Sequence, residues 1–189
     1  RANAELRLIQ ETNTACETHR EGYRFTEAAA KLDALKMTTP ESTASRDAHR
    51  DTWKNAAAFL DQLSRDLARQ PVEGVVDNAG VSVRASIGIN GAILTAKQAQ
   101  GPEIKTPLGK ASPPLLTALA SDLLARITDA DDFSRRSELL YCFALRTGLN
   151  QTAQAWADTL SAELRRFRDQ LSVLQTVEVV SASGVTTDK

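Results

Sequence analysis

His19 and His49 are the only imidazoles in this 189-residue chain, and acid–base or metal chemistry near neutral pH would draw on them first. His19 adjoins Arg20 and His49 adjoins Arg50. Neither has a serine, cysteine, second histidine or carboxylate at a spacing that makes a catalytic or metal-binding pair. Both therefore read as structural histidines, at the surface or half-buried. Asp129, Asp131, Asp132 and Glu138 suggest a calcium loop, but its sixth and twelfth positions would hold Ser134 and Leu140 where glycine and glutamate are needed. Helix capping by Asp132 or Ser134 accounts for these acids more simply. Gly80, Gly88 and Gly91 are spread along extended segments rather than gathered in one strand-to-helix turn, so they do not form a phosphate cradle. A hydrolase would have to be assembled from scattered groups such as Asp77, Arg84 and His49.

Arg135 and Arg136, with Arg165, Arg166 and Arg168, form the densest positive groups and are the candidate interaction residues. They could receive an acidic protein surface, a phosphate or a glycan-borne carboxylate. Asp158, Glu163 and Asp169 lie close by, so a solvated, ion-paired helix face is the competing reading. Trp53 and Trp156 fall on apolar stripes with aliphatic residues one turn away. That favours core packing over an aromatic platform for a sugar or peptide.

The elements that must position these groups follow from periodicity. A first helical block spans residues 2–22 with Leu6, Ile9, Cys16 and Tyr23 on one side, its stripe interrupted by Asn13 and His19. A short helix follows over 25–35. Thr39 then caps a long helix that has Pro40 at its first position and runs to about residue 69, where Pro71 closes it. Its stripe is Ala48, Trp53, Ala56, Leu60, Leu63 and Leu67. Beyond it the pattern changes period. Val81, Val83, Ala85 and Ile87 alternate with Ser82, Arg84 and Ser86, the mark of a half-buried strand. Residues 78–80 and Asn90-Gly91 supply hairpin turns; 72–76, the segment after Gly91 and the later 102–107 complete three or four antiparallel strands. Ser112, Pro113 and Pro114 repeat the cap-then-proline device and open a helix to about residue 127. A helix over 134–147 ends at Gly148, and Asn150 caps a last long helix carrying Trp156, Leu160, Leu164, Phe167, Leu171 and Leu174. The segment 177–189 is a further edge strand or a loose tail.

Bulk properties narrow the function classes. Hydrophobic residues make up 42% and charged residues 25%, as in ordinary globular domains. A net charge of −1 leaves no basic excess for nucleic acid or an anionic membrane, and no apolar run nears the ~20 residues a membrane helix needs. The start at Arg1 suggests excision from a longer protein. Cys16 and Cys142 read as buried free thiols, with a single disulfide as the alternative.

Two likenesses add to this reading. Ala28, Leu32, Leu35 and Pro40 fall where a tetratricopeptide-type hairpin, which this segment resembles, places its small, aromatic, small and proline residues, and Gly148, Ala153, Ala157 and Leu160 resemble the turn and second-helix positions of another. Thr12 and Cys16 stand where that repeat has tryptophan and glycine. The order of elements, with GVVDNAGVSV at 74–83 and SPPLL at 112–116, also resembles an uncharacterised helix–β-insert–helix domain of large extracytoplasmic or kinase-linked bacterial proteins. That resemblance implies a bacterial, extracytoplasmic setting and no catalytic residues.

The chain is thus expected to be a mostly helical α+β protein. Five or six helices, two of them long and side by side, form a bundle against which a three- or four-stranded antiparallel insert packs. Residues 1–71, 72–111 and 112–189 are its helical, β and helical parts, integrated into one domain. The expected function is a non-enzymatic protein-interaction or scaffold module without cofactor or metal. A glycan- or peptide-binding module using the β insert and its junction with the bundle is the alternative.

Overall fold

The computed structural model describes residues 2–78 and 80–157. It is a mostly helical α+β fold, as the periodicity predicts. The chain opens with α1 (Ala2–Ala15), a 3-10 segment (Cys16–Tyr23) and α2 (Phe25–Asp33), followed by the 30-residue α3 (Pro40–Arg69). Four strands come next, β1 (Val72–Asn78), β2 (Val81–Asn90), β3 (Ile93–Lys97) and β4 (Ile104–Pro107); after a short 3-10 turn the chain returns to α4 (Pro113–Leu124), α5 (Ala130–Arg146) and α6 (Asn150–Trp156). Asn150 is the first residue of α6 rather than its cap. The predicted continuation of that helix, with Leu160 and the residues after it, lies outside the described residues, as does the tail 177–189.

Local chemistry sets the helix ends. Thr39 Oγ1 accepts from Ser42 N at 3.2 Å and Ser112 Oγ accepts from Leu115 N at 3.4 Å, each just ahead of a proline whose missing N–H leaves nothing unsatisfied. Glu5 of α1 braces the first cap, its carboxylate accepting from Thr38 N at 3.2 Å and from the Thr38 hydroxyl. α5 begins earlier than the apolar pattern suggests, because Asp129 Oδ1 accepts from Asp132 N at 2.7 Å. The cap is thus Asp129, neither Asp132 nor Ser134. The first helical block breaks at Gly22, whose φ of 68° lies in the left-handed region.

The strands form a meander in the order β1-β2-β3-β4, all antiparallel. Asn90 pairs with Ile93, so the second hairpin turns on Gly91 and Ala92, with Gly91 at φ 59°. The expected Asn90-Gly91 turn is therefore shifted by one residue, and Asn90 stays in the ladder.

One apolar cluster joins the helices on either side of the sheet with the sheet itself: Phe25 and Leu32, then Trp53, Leu63 and Leu67, then Val72, Ala85 and Ile87, then Leu116, Leu119, Leu140 and Phe143. Each such large side chain, once fully buried, contributes about 1.5–3 kcal/mol of hydrophobic stabilisation before conformational entropy is set against it. At its centre Phe59 stacks on Phe143 at 4.3 Å between ring centres, and Phe25 meets Trp53 at 5.8 Å. Among the described residues α3 packs on α5 along this seam; most of the last helix expected to flank it lies outside them. Trp53 is fully buried, whereas Trp156 is half-buried and lies on Phe133 at 6.2 Å.

Candidate functional site

The two histidines are not surface groups. His19 is 5% exposed and His49 6%. His19 Nδ1 lies 3.2 Å from Thr18 Oγ1, and its Nε2 is 3.8 Å from a Glu27 carboxylate oxygen. His49 sits beside Arg146 of α5, whose guanidinium donates to the His49 carbonyl at 3.2 Å and to the Thr52 hydroxyl. Burial, and then the nearby Arg146 charge, push the His49 imidazole down to about 4. Asn13, which seemed to interrupt the α1 stripe, accepts the Trp53 indole N–H at 2.9 Å. The polar breaks in that stripe are thus matched partners of the core.

Arg146 is the least expected member of this cluster. It is 7% exposed, carries its guanidinium carbon 4.4 Å above the centre of the Trp53 ring, and burial lowers it to about 10. Cys16 and Cys142 are free and fully buried, and burial raises both thiols, Cys142 to about 12. A thiol held protonated in a closed core is a poor nucleophile. The cluster holds titratable groups together, but as packing.

The scattered trio is not brought together either. Gly88 of β2 lies against the Leu67 carbonyl near the end of α3, where a Cβ would stand 3.6 Å away. His49 is eighteen residues earlier on that helix, about 27 Å along its axis. Asp77 and Arg84 are on the hairpin of β1 and β2. Among the described residues, no group of three or more His, Cys, Asp and Glu side chains could hold a metal ion, and no helix is long and apolar enough to cross a membrane.

Of the interaction candidates, Arg136 is already engaged. Its Nη1 donates to Asp66 of α3 at 2.5 Å and its Nε to Asp132 at 2.9 Å, so it ties α5 to α3. Arg136 and Asp66 flank a depression of only about 20 Å³, room for one water. Arg135 is exposed. Arg165, Arg166 and Arg168 lie outside the described residues.

An open concavity wraps the edge of β1. It encloses about 600 Å³ between Glu73, Val75, Asp77 and Arg84 on the sheet side and Pro114, Leu115, Ala118, Leu119 and Asp122 of α4, within the usual range for ligand sites. Gly74 lets α4 come this close: a Cβ there would stand 2.7 Å from Ile87 Cδ1 and 3.1 Å from Leu119 Cδ2. Among the described residues β1 pairs with β2 alone. Val75 is 57% exposed and Val81 62%, so the outer half of this hairpin stands clear of the core. Periodicity marks these residues as a strand, but cannot tell an edge strand from a central one. No protein-family model, no curated protein and no solved structure matches this chain. The two likenesses above rest on the residues quoted for them.

Proposed function

We propose that this chain is a non-enzymatic protein-interaction module of a larger bacterial protein, and that the groove between β1 and α4 is its binding surface. The observation that carries the reading is a sheet edge with no partner strand among the described residues, beside an exposed helix flank, with apolar and charged side chains around one concavity. Edges of this kind accept a further strand, main-chain hydrogen bonds supplying affinity and flanking side chains selectivity. The titratable groups that could have done chemistry are instead buried as internal partners of Trp53, Thr52 and Glu27. Between the two ligand classes considered for this junction, a peptide fits better than a glycan. The groove lining holds no aromatic ring among the described residues, and flat sugar faces are gripped by such rings.

The test is site-specific photo-cross-linking in the native host. A photoreactive residue at Ser82 or Ala118, both exposed in or beside the groove, should give one discrete protein adduct, and one at the exposed Leu8 of α1 should not. The adduct partner, purified, should re-form the complex. Absence of an adduct from every surface position, together with turnover of ester, peptide or glycoside model substrates, would overturn the reading.

A further inference from the structure

Resting on the interaction role proposed above, we infer that the outer edge of β1, which has no partner strand among the described residues, takes an extended basic segment of a partner protein as a fifth strand. That segment has Lys or Arg opposite Glu73 and Asp77 and an apolar residue opposite Val75.

The hydrogen-bonding phase of the sheet sets which groups face outward. Asn78 and Val81 close the first hairpin around a two-residue turn, and such a closing pair exchanges backbone hydrogen bonds. Alternation from there turns Val76, Gly74 and Val72 toward β2, and leaves the N–H and C=O groups of Glu73, Val75 and Asp77 pointing away from it. The second hairpin agrees. Counted from Asn90 and Ile93, the residues Gly88 and Ser86 turn toward β3, so Ala85 and Ile87 turn toward β1. Three outward-facing residues are what a short added strand needs.

Side chains then select the occupant. Glu73, Val75 and Asp77 share the sheet face opposite the core, all three exposed, with Arg84 across from Val75. Asp122 adds a third acid from α4, and among the described residues lining the groove Arg84 is the one positive charge. The cations farther along the sheet, Lys97 and Lys105, lie within 3.9 Å and 3.6 Å of Glu103 on the β3–β4 side. The β1 edge is thus acidic on its own. The alternate residues of an added strand point to the other face, toward Leu115, Ala118 and Leu119, and should be apolar. A second copy of this chain suits the edge poorly. Two β1 strands paired antiparallel about Val75 would set Glu73 against Asp77 twice, and like charges directly opposite are destabilising.

The full chain would be titrated with two synthetic peptides in glycine-serine flanks, one containing Lys-Leu-Val-Leu-Lys and the other Glu-Leu-Val-Leu-Glu. Binding would be followed by fluorescence anisotropy, and the contact located by amide hydrogen exchange. The basic peptide should bind at least tenfold more tightly and slow exchange at Glu73, Val75 and Asp77, and Glu73→Lys should weaken it about fivefold, as one close charge pair warrants. Two isomers of the basic peptide, N-methylated on alternate amides, leave the protein untouched. One should bind normally and the other not at all, because only one set of amides faces β1. Equal binding of acidic and basic peptides, equal binding of the two isomers, no binding, or protection elsewhere would each overturn the strand addition, the acids then serving only to keep the edge from self-pairing. A cross-linked partner mapped to another surface would sink this inference and leave the interaction role standing. Failure of both experiments would sink both.

Discussion

The guanidinium of Arg146 lies 4.4 Å above the ring centre of Trp53, with both residues buried. No carboxylate among the described residues pairs with this charge; its neighbours are a π face, the Thr52 hydroxyl and the His49 carbonyl. A buried cation loses hydration that such partners only in part replace. Arg146→Met, similar in volume, is therefore expected to cost less than Thr52→Val and at most about 1 kcal/mol. Thr52→Val keeps the charge and removes its acceptor, and should cost about 1–3 kcal/mol. Denaturant midpoints at unchanged m-value measure both. A Met variant as damaged as the Val variant would show that Arg146 stabilises this core.

His49 makes acid stability predictable in sign. Its folded value of about 4 lies below the ordinary 6.5, so between these values the unfolded chain binds a proton that the folded chain refuses. Stability is then highest above pH 6.5 and falls as the pH drops toward 4, by up to about 3 kcal/mol from this group. Glu5 adds a separate, lower window. Hydrogen bonds from Thr38 hold its carboxyl down to about 2, so its contribution is lost only as the pH falls from 4.5 toward 2. Unfolding free energy measured from pH 7 to pH 4 should decline in the native chain and be nearly flat in His49→Gln, whatever that variant's stability at pH 7.

Much of the architecture is legible from short-range chemistry. Thr39-Pro40, Ser112-Pro113 and Gly148 mark ends that depend on a residue's own side chain or φ. The strand alternation around Val83 and Ile87 depends only on which face is wet. Choices made at long range are not legible. Arg146 follows the run Leu139–Ala144, and nothing local says that it turns inward onto a tryptophan ninety-three positions earlier. The pairing of α3 with α5 and the exposure of the β1 edge are likewise decided by what packs where. The groove could have been suspected from Glu73, Val75 and Asp77, which alternate as charged, apolar, charged on what proves to be the outer face.

Arg135 and Arg136 read alike in sequence and should separate in experiment. Arg136 bridges Asp66 and Asp132, with its own side chain 22% and that of Asp66 14% exposed, so solvent screens the bridge only in part. Arg136→Ala should cost about 1–2 kcal/mol, more than an exposed pair is worth. Arg135→Ala should stay within about 0.5 kcal/mol of the native chain. Thermal unfolding of the two single variants and of Asp66→Asn decides the matter. If Arg136→Ala and Asp66→Asn are additive in the double variant, the two side chains are not coupled.

Gly74 and Gly88 put the groove's geometry to a direct test. Both lie in strands with φ outside the left-handed region, so alanine is allowed by the backbone and only space differs. At Gly88 a Cβ meets Pro71 Cγ at 3.5 Å, ordinary contact; Gly88→Ala should be neutral or stabilising by up to about 1 kcal/mol through the unfolded chain. At Gly74 the same atom would come within 2.7 Å of Ile87 Cδ1 and 3.1 Å of Leu119 Cδ2. Ile87 is 1% exposed and Leu119 also 1%, so neither tip has room to retreat. Gly74→Ala should therefore cost about 1–3 kcal/mol and push α4 away from β1, with faster amide exchange in the first turns of α4. Equal stability of the two alanine variants would mean that α4 does not seat against β1 as closely as the groove requires.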